Sequence, residues 1–321
     1  MHRIFVALAA TVALATASPV QAEAWPAHAI RLVVPANAGG TVDLLARTVG
    51  IKLGELLGQP IIIENRSGAT TRVAEEYMLK QAPDGYTLLM SGITLATQPF
   101  MYANLPYDPQ KDFTLISLVA TSGNVLVVNP AVPVKTVADL IQLAKSSPTP
   151  LFYGTAAFGA TGHLAAEMFN QMAGVKLQQV PYKGAAPALQ DLIGGQIQMT
   201  FDNIPAAINH ISSGRIRAVA VTAAHRYRHL PDVPTIAESG LPGYEIVAWF
   251  GLVGPAKLPP EITARLHTEL VKTLKDPGVL DRLDQMGFEP VGSTPAEFLA
   301  YVKAESDKLG TVIRKAGMKP Q

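Results

Sequence analysis

The stretch Tyr153-Gly154-Thr155-Ala156-Ala157-Phe158-Gly159-Ala160-Thr161-Gly162-His163-Leu164 sets a Gly/Thr loop between an apolar run, Leu151 to Gly154, and a segment of helical pattern. A second loop of the same type, Pro35-Ala36-Asn37-Ala38-Gly39-Gly40-Thr41-Val42-Asp43, follows the apolar run Ile30 to Val34. It leads into a helix expected to carry Leu45, Val49, Leu53 and Leu56 on one face. Glycines let a backbone come close to a ligand, and the first N–H groups of a helix have no partner within it. Two strand–loop–helix units of this kind predict an anion cradle, with one carboxylate held between two loops.

Outward from these units, short β-rich runs alternate with helical patterns: Pro60 to Glu64, Thr87 to Met90, Leu115 to Ala120, Val125 to Val128, Gln198 to Phe201 and Ile216 to Val221. That alternation predicts an α/β fold with mostly parallel strands. Thr136-Val137-Ala138-Asp139 reads as a capping box opening a helix through Lys145, and Thr294-Pro295-Ala296-Glu297 adds Pro at the first helical position. Two extended runs, Asn124 to Asn129 and Tyr244 to Val253, flank a middle segment that reads β-α-β-α, and are expected to cross between two lobes. Glu23 to Ser122 with Pro242 to Gln321 then forms one lobe, and Gly123 to Leu241 the other. C-terminal helices near Pro260 to Leu274 and Pro295 to Ala316 are expected to cover the first lobe. A hinge of two crossings permits closure.

Met1-His2-Arg3, the apolar run Ile4 to Ala17 and the small residues around Val20-Gln21-Ala22 have the form of a secretory signal, residues 1–22. Cleavage after Ala22 removes one basic residue, Arg3, and no acidic one, so 26 basic and 25 acidic side chains become 25 and 25. No basic excess points to nucleic acid or an anionic membrane. With no cysteine, the chain has no disulfide, thiolate zinc site or thiol nucleophile, and no lipid anchor at a mature N-terminal cysteine. About 300 residues exceed what one core usually holds, which favours two lobes.

Gly154 to Thr161 has the glycine spacing of a phosphate-binding P-loop, but Ala160 stands where its lysine belongs, so the nucleoside triphosphate reading is poor. There is neither a Gly-x-Ser-x-Gly elbow nor a His-Glu-x-x-His helix. His225 and His229 are four apart, but Arg226 and Arg228 oppose a cation there and a solvated loop is the preferred reading. His163 either donates to a ligand or satisfies a backbone group. Asp202, ending the run Gln198 to Phe201, either reaches a cleft or shapes a turn. Arg72, after Gly68-Ala69-Thr70-Thr71, is either a clamp for a second carboxylate or a surface arginine.

Along nearly the whole mature length, ordered motifs resemble one family, the extracytoplasmic solute-binding receptors of tripartite tricarboxylate transporters, also called the Bug family. They include Ile30-Arg31-Leu32-Val33-Val34-Pro35, Glu64-Asn65-Arg66, Ala82-Pro83-Asp84-Gly85-Tyr86, Val180-Pro181-Tyr182-Lys183-Gly184, Phe201-Asp202-Asn203 and Trp249-Phe250-Gly251. The resemblance implies a two-lobed type II periplasmic binding-protein fold with two crossing strands. It implies a receptor that delivers a small organic carboxylate to a permease of a large and a small membrane subunit; with the signal segment and the missing catalytic motifs, the chain is expected to be periplasmic, monomeric and non-enzymatic, without cofactor or metal. The family's cradle falls on Ala38, Gly39, Gly40 and Thr41 from one lobe and Thr155, Ala160, Thr161 and His163 from the other, with Ser91 and Gly92 lining the same edge. Ala36 replaces the family's usual Phe, and Ala69-Thr70-Thr71-Arg72 replaces a glycine-rich run, so ligand identity does not transfer. A dicarboxylate, or an aromatic acid with a distal polar group, is expected if Arg72 contributes. Two alternatives stand beside transport: a binding protein that signals to a membrane sensor kinase, and an enzyme on the same fold.

Overall fold

The computed structural model describes residues 25–68 and 71–320, so the expected signal segment and Ala69-Thr70 lie outside the described residues. The chain runs β1 (Ile30–Val34), α1 (Thr41–Leu57), β2 (Ile61–Asn65), α2 (Arg72–Met78), β3 (Thr87–Gly92), α3 (Thr94–Met101) and the long β4 (Phe113–Val128). There follow α4 (Val137–Ser146), β5 (Phe152–Thr155), α5 (Thr161–Ala173), β6 (Gln178–Pro181), α6 (Ala185–Ile193), β7 (Met199–Asn203), α7 (Ile204–Ser212) and β8 (Arg217–Val221). β9 (Val247–Pro255), α8 (Pro260–Lys275), α9 (Pro277–Gln285), β10 (Glu289–Pro290) and α10 (Pro295–Lys315) complete it.

The strand order is β2-β1-β3-β9-β4-β7-β5-β6, with β8 and β10 also on β4. β4 is the joint. Its first part, Phe113 to Gly123, pairs with β9; its last part, Asn124 to Val128, pairs with β7 and β8. The sequence shows this strand as two runs because Ser122 and Gly123 interrupt the apolar pattern. The β-α-β units are parallel, as expected, in β1–β2, β1–β3, β5–β6 and β5–β7. Every pairing of β4 or β9 is antiparallel, so the sheet is mixed rather than mostly parallel.

Three apolar clusters hold these layers. One lies under α1, α8 and α9 and includes Ile30, Leu32, Leu88, Leu266 and Leu283. A second packs Val125 and Val127 against Leu189 and Leu192 of α6 and Ile204 of α7. The third runs across both sheets: Leu89 and Trp249 join Leu126, Tyr153 and Phe201, covered by α3, α5 and α10. On α1 the buried stripe is Leu45, Val49, Leu53 and Leu57; Leu57 rather than Leu56 completes it, because a strict four-residue step keeps one face. Each such side chain stabilises the fold by about 2 kcal/mol. Gly58, left-handed at φ 78°, ends the helix by donating to Gly54 O at 2.9 Å. Both expected capping boxes are present, Thr136 with Asp139 and Thr294 with Glu297.

Candidate functional site

The two Gly/Thr loops share one backbone device. Gly39 and Gly159 both sit in the left-handed region, at φ 80° and 72°. The next residues, Gly40 and Ala160, are extended N-caps at φ −78°, ψ 167° and φ −70°, ψ 164°, and neither helix has a side-chain cap. Leu44 N–H and Leu164 N–H close the first helical bonds onto Gly40 O and Ala160 O. The amides of Thr41, Val42 and Asp43, and of Thr161, Gly162 and His163, therefore begin their helices without an intrahelical acceptor. Such an end carries a partial positive charge suited to an anion.

The glycine amides themselves are not part of that donor set. Gly39 N–H donates to Asp43 Oδ2 at 2.8 Å, and Gly159 N–H to His163 Nδ1 at 3.0 Å. These bonds fix the turns and occupy the Gly39 and Gly159 N–H groups. Asp43 is buried; burial raises its pKa, but bonds from Arg47 Nε at 2.8 Å, Gly39 N–H and Asn65 Nδ2 at 2.9 Å outweigh that and hold the carboxylate below its ordinary range. His163 has no charged neighbour among the causes of its shift: burial alone pushes its pKa down to about 4, and it is neutral at pH 7. Because Nδ1 accepts, the ring proton resides on Nε2. Of the two sequence readings of His163, the structure shows the backbone-satisfying bond.

Thr41 and Thr161 are buried at the helix entries. Thr155 Oγ1 accepts from Gln179 Nε2 at 2.8 Å, and its carbonyl accepts from Tyr182 N–H, so its side chain braces β5 against β6. Helix α5 lies directly on the end of β7: a Cβ on Gly162 would stand 2.1 Å from Phe201 O. Asp202, next on β7, is buried; desolvation lifts its pKa to about 6 although Oδ1 accepts from Asn203 N–H at 2.8 Å. Gly92 is held close to β9, where a Cβ would meet Trp249 O at 2.7 Å. The buried indole Nε1 of Trp249 has no hydrogen-bond partner among the described residues.

Ser91 belongs to a polar cluster the sequence did not reveal. Fully buried Glu75 on α2 accepts from Thr71 at 3.1 Å, Thr94 at 3.2 Å and Ser91 at 3.4 Å on one oxygen, and from Tyr107 at 2.7 Å and Gln98 on the other. Burial raises the Glu75 pKa above its ordinary value despite these bonds. The cluster ties α2 to β3 and α3, and Thr71 meets it from a left-handed φ of 74°. Arg72 is the first residue of α2. Its Nε pairs with Glu76 at 2.9 Å, and its guanidinium lies 5.1 Å from the Tyr102 ring centre.

His225 and His229 do not share a helix face, since their segment is a loop. His225 pairs with Glu289 at 2.9 Å and His229 with Asp284 at 2.8 Å. Among the described residues no group of three or more His, Asp or Glu is placed to hold a metal ion, and no helix is long and apolar enough to cross a membrane. A depression of about 300 Å³ lined by Asn129, Val132, Leu143, Leu151 and Ile197 lies away from the loops and contains no titratable side chain.

A family model described as tripartite tricarboxylate transporter family receptor matches residues 45–318. The chain is 34% identical over 305 residues to BugT of Bordetella pertussis, covering 94% of each protein. Among solved structures, an R. palustris protein with adipate superposes with a TM-score of 0.89 at 41% identity, over 92% of this chain and 100% of that one. The periplasmic binding protein BugD gives a TM-score of 0.86 at 31% identity, over 92% and 100% of the two chains. MatC of Rhodopseudomonas palustris with bound malate gives 0.83 at 31% identity, over 90% and 99%. The fold is thus the two-lobed type II periplasmic binding-protein fold, with strands crossing between the lobes, and receptors of this family are periplasmic solute-binding proteins. The chain belongs to the tripartite tricarboxylate transporter family of receptors, the Bug proteins.

Proposed function

We propose that the chain captures a small organic carboxylate between its lobes and delivers it to a membrane permease of one large and one small subunit. The observation that carries this reading is the pair of helix entries at Gly40 and Ala160, each led in by a left-handed glycine and each without a side-chain cap. Uncapped first-turn amides at two such entries suit one carboxylate. The relatives solved with adipate and malate support the ligand class. The lobes of this reading are residues 23–122 with 242–321, and 123–241. The ligand site comprises Ala38, Gly40, Thr41, Ser91 and Gly92 from the first, with Gly39 as its turn, and Thr155, Ala160, Thr161, His163 and Asp202 from the second. The receptor acts as a monomer in the periplasm after loss of residues 1–22, without turnover of its ligand.

Arg72 serves as the clamp for a second anionic group. The Glu76 bond uses Nε, and the two terminal guanidinium nitrogens make no hydrogen bond among the described residues. A charge-assisted bond from either is worth about 1.5 to 3 kcal/mol. The test is a thermal-shift screen of mono-, di- and aromatic carboxylates on the mature chain, since a ligand of the folded state raises its melting temperature. The expected hit is a carboxylate that mass spectrometry recovers unchanged after incubation. Conversion at a rate tracking protein concentration contradicts the receptor reading, and equal losses for diacid and monoacid in Arg72→Ala contradict the clamp.

A further inference from the structure

On the α5 side of the second sheet two rows of side chains run together, Val128, Leu126 and Asn124 on β4 and Met199, Phe201 and Asn203 on β7. The register pairs Val128 with Met199, Leu126 with Phe201 and Asn124 with Asn203. The four apolar members belong to the core they share with Leu164 and Phe169 of α5. Both rows change to amides where α5 begins. A Cβ on Gly162, in the first turn of α5, would stand 3.9 Å from Asn124 Nδ2. Asn124 is 1% exposed, yet its side-chain oxygen has no partner among the described residues, and neither has that of Asn203. Asn203 is the N-cap of α7, a position where Asn ordinarily accepts from the helix's own amides, but it makes no such bond. An unpaired buried acceptor is costly, and a pair of them beside a helix end whose first amides are free suits a donor.

We infer that Asn124 and Asn203 receive a hydroxyl on the carbon next to the carboxylate held by α5, which makes the chain a receptor for 2-hydroxy carboxylates. The inference deepens the carboxylate reading above and rests on it. Each amide offers an acceptor oxygen and a donor NH2, and a hydroxyl, which both donates and accepts, matches the pair. An ammonium only donates, so it pairs with the two amide oxygens but leaves both NH2 groups without an acceptor. A bare methylene leaves both amides unpaired. The proximity of Asn124 to the first turn of α5 restricts the hydroxyl to the carbon beside the carboxylate.

The test is calorimetry on the mature chain at pH 7.5 with three matched sets: butanedioate, hexanedioate and phenylacetate, each against its 2-hydroxy and 2-amino counterpart. In each set that binds, the 2-hydroxy acid is expected to bind about tenfold or more tightly than the other two members, the size of one hydrogen bond to a polar partner lost. In Asn124→Leu and Asn203→Ala that ratio falls to about twofold or less. Asn203 is only partly buried, so its variant serves where Asn124→Leu does not fold, and the wild-type ratio stands without either. Binding of the unsubstituted or 2-amino acid as tight as the 2-hydroxy acid overturns this inference alone. Binding by no acid of any set overturns it together with the carboxylate reading.

Discussion

Gly39 and Gly159 enter their helices with the same backbone and are locked by different chemistry. Each donates to the side chain four residues on, but Asp43 is an ionised carboxylate held by Arg47 and Asn65, whereas His163 is a neutral ring ranged against Phe158 and Tyr153. The first lock places a negative charge in the opening turn of α1, which offsets part of the helix's attraction for an incoming anion. The second places no charge there, so α5 keeps its full positive end. The difference teaches that one loop geometry can be retained while its electrostatics change, and under the carboxylate proposal it leaves α5 the entry without a side-chain charge.

The largest expected effect separates the two glycines themselves. A Cβ at Gly159 would meet Met101 Cε at 2.8 Å, whereas one at Gly39 would meet nothing within 4 Å. Gly39→Ala therefore costs only the left-handed conformation, about 1 to 2 kcal/mol, while Gly159→Ala adds the displacement of the flexible Met101 side chain and costs about 2 to 3 kcal/mol. Urea unfolding of the two variants checks this, and equal costs would break the distinction.

The locks also differ in pH response. The folded pKa of His163, about 4, lies below the ordinary 6.5, so between those values the unfolded chain binds the extra proton. Stability is lost as pH falls from 6.5 towards 4, by up to about 3 kcal/mol from this group. His163→Asn keeps an acceptor without titrating, and the gap between wild type and variant should shift across that window. Asp202, lifted to about 6 from 3.8, acts oppositely: its contribution falls as pH rises from 3.8 to 6. It is present in both proteins and cancels from the difference. A gap that does not change with pH would remove the burial lock.

Asp43→Asn is expected to cost about 2 kcal/mol, because the amide no longer offers a charge to Arg47. Asp43 is depressed, so its stabilisation is present above about pH 3.8 and is lost as pH falls through the folded value. Acid titration of the stability of Asp43→Asn against wild type reads this, with no divergence expected between pH 5 and 8. The smallest effect is at Arg72: its partly exposed pair with Glu76 contributes about 0.3 to 0.5 kcal/mol, so Arg72→Ala should melt almost as wild type while losing diacid affinity.

What was legible in the sequence follows from local signals. Glycine before threonine at a strand-to-helix junction is readable because only glycine enters the left-handed region without strain, and both junctions stand where the sequence put them. Thr136 and Thr294 announce their helices for the same local reason. Helix α9 went unread because Pro277-Gly278 looks like a break, although Asp276 caps it through the amides of Gly278 and Val279. The crossing strand is longer than its two apolar runs, because continuity through Ser122 and Gly123 depends on β9. In the site, the bonds from Gly39 to Asp43 and Gly159 to His163 need the turn geometry to be known first. The Glu75 cluster draws partners from α2, α3, β3 and Tyr107, and the Asn124–Asn203 pairing depends on strand register; neither has a local signature.

The central claim is that a ligand carboxylate sits on the uncapped first turns of α1 and α5. A crystal structure of the mature chain with the tightest-binding carboxylate tests it most directly. The account predicts carboxylate oxygens within hydrogen-bond reach, about 2.7 to 3.2 Å, of amide nitrogens among Thr161 and Gly162, with Thr41 or Val42 facing them across the cleft. A carboxylate bound away from both turns, as in the depression lined by Asn129 and Leu151, would contradict it.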